Sequence, residues 1–422
     1  LQTIRTQLNA HYCANEYDVL QTLIATANLS EDDRKAISLS AADLVEQVRS
    51  QSAPTMMEKF LAEYGLSTKE GVALMCLAEA LLRVPDEDTI DALIHDKVAT
   101  GKWGPHLGQS PSSLINTATW ALMITGKVIA PGSDKGVTTA VRGMVKRLGE
   151  PVVRTAVAQA MKELGRQFVL GRNIDEAISK AKKMEKKGYT YSYDMLGEGA
   201  KTDSDALRYL TAYATAITQL TAISTSTDIR KNPGISLKLS ALYARYEYAK
   251  ADQVLDVLVS RTTSLALQAK AGNLGFNIDA EEADRLDLSL DVIEAVLRHP
   301  ALEGWDGFGV VVQAFCPRAP FVLDWLYSLA QKLDRKIMVR LVKGAYWDAE
   351  IKKAQVLGLE GYPVFTRKVN SDVSYIACAR KLMDMRDRIY PQFATHNAHS
   401  VAAVLHLSDD LDSFEFQRLH GM

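Results

Sequence analysis

Ile337-Met338-Val339-Arg340-Leu341-Val342-Lys343-Gly344-Ala345-Tyr346-Trp347-Asp348 decides how this chain is read. Its first half, IMVRLV, has the aliphatic and β-branched composition of a strand buried on both faces, yet it carries Arg340. A guanidinium cannot shed its proton to escape burial, so it needs an anion, a carbonyl or an electron-rich ring beside it. One explanation is a structural ion pair with a carboxylate on a neighbouring strand. The other is a cofactor seat at the mouth of a barrel, because the strand runs directly into Lys343, a glycine and two aromatics. Recurrence of the pattern elsewhere in the chain favours the seat.

Outward from this stretch, everything after Tyr189 alternates short strand-like runs with long amphipathic ones, the texture of βα units. The strands are predicted at Tyr191–Leu196, Ile235–Ser240, Phe276–Ala280, Gly309–Ala314, Ile337–Val342, Gln392–His396 and Phe414–Leu419. Seven can be counted, whereas a (β/α)₈ TIM barrel closes with eight. The sequence therefore predicts an α/β barrel that lacks its last strand and helix within these 422 residues. Residues 1–130 read as an all-helical arm, with capping signals at Ser30-Glu31-Asp32-Asp33 and Ser67-Thr68-Lys69-Glu70. The loop Ala130–Gly136 opens a helical linker over 131–188, and the barrel occupies 189–422.

Composition narrows the function classes. A formal net charge of −2 gives no electrostatic funnel for a polyanion, so no nucleic-acid contact is expected of this segment. The four cysteines, Cys13, Cys76, Cys316 and Cys378, form no CxxC, which argues against zinc or iron–sulfur ligation. No apolar run has transmembrane length and no signal peptide is visible at Leu1, which leaves peripheral membrane contact open.

In a barrel of this kind chemistry gathers where the strands end. Those ends deliver Glu198, Lys238, Asp279, Gln313, Arg340 with Lys343, His396-Asn397, and Gln417. Singly each has an ordinary explanation: Asp279 as a helix cap, His396 as a satisfied core histidine, Gln417 as a loop anchor. Independent structural roles, however, have no reason to line up at one end of successive strands. The cations suit a small zwitterion or carboxylate and an anionic cofactor. GxGxxG and GxxxxGK[ST] are both absent, so phosphates fall to the basic loop after Val342 and to the strand ends. Gly344-Ala345 permits close backbone approach, and Tyr346-Trp347 offers flat surface to a ring system. Asp279 and Glu281, with His396 and His399, raise a metal reading that Lys238, Arg340 and Lys343 oppose by crowding the mouth with positive charge; no metal is expected. A strand-end lysine also fits Schiff-base aldolase chemistry on Lys238 or Lys343.

YSYDMLGEGA from Tyr191, PGISLKLSALYARY from Pro233, GFNIDAEEADRLDLSLD from Gly275, MVRLVKGAYWDAEIKKAQ from Met338, GLEGYPVFTRKVNSDVSY from Gly358 and YPQFATHNAH from Tyr390 carry a resemblance. Together they resemble the proline dehydrogenase domain of bacterial proline utilization A, a bifunctional proline-catabolic flavoenzyme family. The likeness is dense over 185–422, and the helices before it resemble that family's arm and linker. It implies a distorted (β/α)₈ barrel that binds FAD and oxidises L-proline to 1-pyrroline-5-carboxylate, with electrons passed to a membrane quinone. It also implies a cytoplasmic protein that meets the inner face of the bacterial membrane during turnover.

Carried over by position, the resemblance puts Arg340 near flavin N5, with Gln313 and the stretch Val342, Lys343, Gly344, Ala345, Tyr346 and Trp347 along the isoalloxazine. Thr366, His396, Asn397 and Gln417 are further cofactor contacts. Lys238 pairs with the substrate carboxylate, Asp279, Leu341, Tyr346 and Leu419 help form its pocket, and Glu198 buttresses a substrate-binding arginine. The family's Tyr and Arg-Arg pair on the helix after the eighth strand have no counterpart before Gly421-Met422. Nor does the sequence show a counterpart of the family's aldehyde dehydrogenase half or of the short basic DNA-binding module of some members. Arg340, Lys238 and Asp279 are the predicted catalytic set. The alternatives are a Schiff-base lyase on the same barrel and a non-catalytic scaffold.

Overall fold

A computed structural model describes residues 1–51, 169–197 and 199–421. The predicted βα alternation gives one seven-stranded parallel sheet whose spatial order follows the chain, β1 to β7. Its strands are β1 Ser192–Asp194, β2 Gly234–Leu237, β3 Gly275–Ile278, β4 Phe308–Gln313, β5 Ile337–Val342, β6 Ile389–Ala394 and β7 Glu415–Gln417. Among the described residues each strand pairs only with its chain neighbours, so β1 and β7 form the two margins. The α/β barrel architecture expected from the sequence is thus present as a curled sheet of seven strands preceded by helices.

The observed ends depart most from the predicted ones in β2, β6 and β7, while β1 and β3 each stop two residues early; β2 stops at Leu237 rather than Ser240. β6 begins at Ile389 rather than Gln392, although Pro391 lies inside it. Proline normally breaks a ladder by withholding an N–H, but pairing with β7 starts only at Gln392. β7 stops at Gln417, not Leu419.

α4 Ile174–Glu185 precedes β1, and helices cover the crossovers: α5 Asp203–Ile223, α6 Leu239–Leu242, α7 Ala251–Ala271, α8 Leu286–Leu297, α9 Ala319–Lys332, α10 Trp347–Leu357, α11 Lys368–Asp384 and α12 Ala398–Leu407. Before them come the arm helices α1 Gln2–Ala10, α2 Glu16–Ala27 and α3 Glu31–Gln51. The predicted capping box before α3 is formed: Asp33 N donates to Ser30 Oγ at 3.1 Å and Ser30 N to Asp33 Oδ2 at 2.9 Å. Its second counterpart, at Ser67–Glu70, lies outside the described residues.

Backbone compactness divides the chain into Leu1–Glu46 with Asn173–Arg418, and Gln47–Arg172 with Leu419–Met422. Within the first unit the arm docks on the barrel helices. Arg5 of α1 reaches Asp287 at 3.3 Å and Asp291 at 2.9 Å, and lies over the Trp325 ring. Val19, Leu23 and Ala27 of α2 form a buried cluster with Phe365 and with Ala377 of α11. Among the described residues no helix is long and apolar enough to cross a membrane.

Candidate active site at the C-terminal rim of the sheet

Strand pleating puts alternate residues on opposite faces, and the register decides which side chains share the inner one. The ladder aligns Val311, Arg340, Gln392 and Glu415 across β4 to β7, and Gln313 with Val342 one pleat nearer the rim. On the other margin Asp194 aligns with Ser236, and Ser236 with Asn277. Lys238 and Asp279 follow directly after β2 and β3, so polar groups from β1 to β7 reach one mouth.

Arg340 spans it. Nη1 donates to Ser236 Oγ at 3.0 Å and to Asp279 Oδ1 at 3.2 Å, and Nη2 donates to Ser192 Oγ at 3.0 Å. Asp279 stands between two cations, because Lys238 Nζ lies 3.3 Å from its Oδ2; the same ammonium is 3.4 Å from Asp194 Oδ1. Asp279 and Glu281 do not converge as a metal pair. Glu281 turns under the rim, where Oε1 accepts from Ser240 N at 3.0 Å and Oε2 meets Arg285 at 2.9 Å. Burial nevertheless pushes its carboxyl above the ordinary range, with Ser240 and Arg285 opposing.

Glu281 also begins a relay. Gln313 Nε2 donates to the Glu281 carbonyl at 2.9 Å, and its Oε1 accepts from Ala345 N at 3.3 Å. Gln313 therefore ties the loop after β3 to the loop after β5. In the latter loop Gly344 has φ +137°, where a Cβ would run into the Phe315 ring. Tyr346, half-buried, packs on Phe315, Cys316 and Val364. Desolvation raises its phenol pKa, helped by Glu281. Trp347 Nε1 donates to the Phe365 carbonyl at 2.8 Å. Lys343 pairs with Asp372 of α11 and sits 5.7 Å from the Tyr375 ring centre.

At the far margin Glu415 accepts from Gln392 Nε2 at 2.9 Å and Gln417 Nε2 at 2.7 Å, with Tyr390 Oη at 3.5 Å. Burial raises its pKa, while Gln417 and Arg340 act to lower it. His396 is exposed at the rim; desolvation and Arg418 lower its pKa. Asn397 caps α12 by accepting from Ser400 N at 3.0 Å. Thr366 is held by Glu16 of the arm, its N and Oγ1 donating at 3.1 Å and 2.7 Å.

Not every predicted residue joins this cluster. Leu341 is fully buried and stands in the row Val312, Leu341, Phe393, on the face of β5 opposite Arg340. Leu419 is 67% exposed and belongs with the second unit. Glu198 lies outside the described residues. Reading the sequence missed Ser192, Ser236, Gln392, Glu415 and Glu16. Only the register or a tertiary contact distinguishes them, although the period-two position of Gln392 before His396 was an available signal.

Against known families, residues 177–422 match the family described as Proline dehydrogenase. The chain belongs to the proline dehydrogenase family. Residues 2–49 match the Proline utilization A proline dehydrogenase N-terminal domain. The protein called Bifunctional protein PutA in Klebsiella aerogenes is 48% identical over 99% of this chain. The one in Rhizobium meliloti is 48% identical over the whole of it. The chain spans about a third of these relatives, 32% and 34% of their lengths. A crystal structure of Bradyrhizobium japonicum proline utilization A superposes with a TM-score of 0.71 at 46% identity, over 97% of this chain and 41% of that one.

One expectation is overturned. Residues 56–168 match the DNA-binding domain of Proline dehydrogenase, so the segment cannot be set aside as lacking nucleic-acid contact. The net charge misled because it averages opposite ends: residues 97–166 hold ten Lys/Arg against three Asp/Glu, and residues 56–96 hold three against nine. This stretch lies outside the described residues.

The inner face suits the flavin that the family implies. Arg340 Nε and Gln392 Oε1 are both buried without a hydrogen-bond partner, a donor and an acceptor in one register row. Each unpaired group costs about 1–3 kcal/mol, and the Arg340 side chain remains 13% exposed, where a heterocycle with polar edges can meet its guanidinium.

Proposed function

We propose that this chain oxidises L-proline to 1-pyrroline-5-carboxylate with FAD held at the rim of the sheet. The observation that carries the reading is Arg340, in a proline dehydrogenase chain, spanning the mouth with its guanidinium held by Ser236, Asp279 and Ser192 and still partly exposed. Arg340, Gln313, Lys343 and the backbone from Val342 to Trp347 would hold the cofactor. Thr366, His396, Asn397 and Gln417 would extend its seat. The chemistry taken from bound FAD is acceptance at N5 of the hydride leaving proline C5.

The chain's own groups do the rest. Lys238 supplies a cation for the substrate carboxylate, with Asp279 and Tyr346 beside it, and a fixed carboxylate is what orients so small a substrate. The positive charge of Lys238 and Arg340 favours the neutral form of the substrate amine, whose lone pair must be free as the imine develops. The Arg340 guanidinium also favours a negative reduced cofactor. Electron transfer onward to a membrane quinone follows from the same reading. The Schiff-base alternative has less support, because Lys238 Nζ is committed to Asp194 and Asp279.

The test is the visible spectrum of the FAD-loaded chain under anaerobic conditions. L-proline is expected to bleach the flavin band. A flavin-bearing protein that includes the eighth strand and the Arg-Arg helix and whose spectrum still ignores proline, or a chain that takes up no FAD, refutes the reading.

A further inference from the structure

We propose that Glu16 of the arm is a positioning residue for the cofactor seat, fastening the loop that carries Thr366 from outside the barrel. This rests on the flavin reading above. The loop between α10 and α11 has no side-chain cap of its own at Arg367, where α11 begins. One carboxylate from some 350 positions earlier supplies what is missing. Glu16 accepts from Thr366 N at 3.1 Å, from Thr366 Oγ1 at 2.7 Å, and from Asn370 Nδ2 in the first turn of α11. A carboxylate at a helix N-terminus is favoured by the backbone dipole as well as by these donors.

The neighbouring residue shows how the fastening reaches the mouth. Phe365 N donates to the Phe315 carbonyl at 2.8 Å, and the Phe365 carbonyl accepts from Trp347 Nε1 at 2.8 Å. The Phe365 side chain is buried against Val19 and Leu23, one and two turns after Glu16 on α2. Loop, Trp347 and arm therefore share one two-residue anchor. Release of the carboxylate frees the Thr366 hydroxyl and backbone, and loosens the carbonyl that orients Trp347. Thr366 and Trp347 are both on the predicted cofactor surface. Glu16 touches neither substrate nor reacting atoms, so its effect passes through the loop.

Hydrogen exchange and FAD titration of the chain, wild type against Glu16→Ala, test this. In the cofactor-free state the Thr366 amide is expected to exchange about ten- to a hundredfold faster in the variant, the range for losing a charge-assisted hydrogen bond. FAD affinity is expected to fall about tenfold, with Glu16→Gln, which keeps one acceptor oxygen, in between. Asp33→Asn serves as a control for an arm weakened away from the loop, since Asp33 pairs with His406 at 2.8 Å and also closes the capping box with Ser30. It is expected to leave FAD affinity within about twofold. An unchanged Thr366 amide overturns the fastening. A looser loop with wild-type or tighter FAD binding overturns its role in the seat, as does an equal loss in Asp33→Asn. A wild-type chain that binds no FAD instead sinks the functional reading itself, while the exchange result still reports on the fastening.

Discussion

Asp279 and Glu415 stand at opposite sides of the same mouth and are compensated in different currencies. Asp279 meets full charges, Lys238 at 3.3 Å and Arg340 at 3.2 Å. Glu415 meets two amides and a phenol, and its burial drives its pKa upward. Opposed ions can trade partners when a charged ligand arrives, because the incoming carboxylate replaces one anion with another. A dipolar cage has no such exchange to offer. On the proposed function, the margin from β1 to β3 would meet the substrate's charge, and the margin at β6 and β7 the neutral polar edges. Arg340 belongs to both, since it pairs with Asp279 and also bears on Glu415.

The sharpest way to break this division is Arg340→Met, which removes the shared group at similar length. Proline turnover is expected to fall at least about a hundredfold, roughly 3 kcal/mol of lost stabilisation. Steady-state rates within a few-fold of wild type would place the essential charge elsewhere. Lys238→Ala comes next: KM for proline rises about thirtyfold, near 2 kcal/mol, while the flavin content of the purified chain stays constant. Loss of flavin in parallel would show that the two margins are not separable.

Gly344→Ala tests the loop between them. A left-handed backbone and the Phe315 ring both oppose a Cβ, so thermal unfolding should report a loss of about 1–2 kcal/mol. Glu415→Gln has the smallest effect, and its size depends on pH. A carboxyl whose folded pKa is raised keeps its full contribution below the unfolded value and loses it as pH rises through the folded one. Glutamine removes that loss, so the variant is expected to be more stable than wild type near neutrality and equal to it below about pH 4. A melting difference that does not change between those pH values would mean that Glu415 titrates normally.

Arg340, Lys238 and Asp279 could be found in the sequence because a charge inside or just after an apolar strand demands a partner. Ser192 and Ser236 could not: serine sits as readily on either face, and only the pairing of β1 with β2 turns both toward Arg340. Leu341 shows the reverse case, a residue placed in the pocket by resemblance that the pleat sends to the other side. Asp372 and Glu16, the partners of Lys343 and Thr366, are joined to them by tertiary packing alone. The barrel class was legible from strand spacing, but Pro391 displaced the start of β6, since a proline reads locally as an end.

That proline also acts as a stop. Thr395 N donates to the Gln417 carbonyl, so odd-numbered residues of β6 turn their backbone toward β7, and at Pro391 there is no hydrogen to offer. A β7 segment that slid toward the bottom of the sheet would gain a mute position instead of a bond. A slip by a single residue would in addition exchange the Glu415 and Phe416 faces. The last described strand is thereby kept in step, with its carboxylate level with Gln392 and Gln417 delivered to the rim.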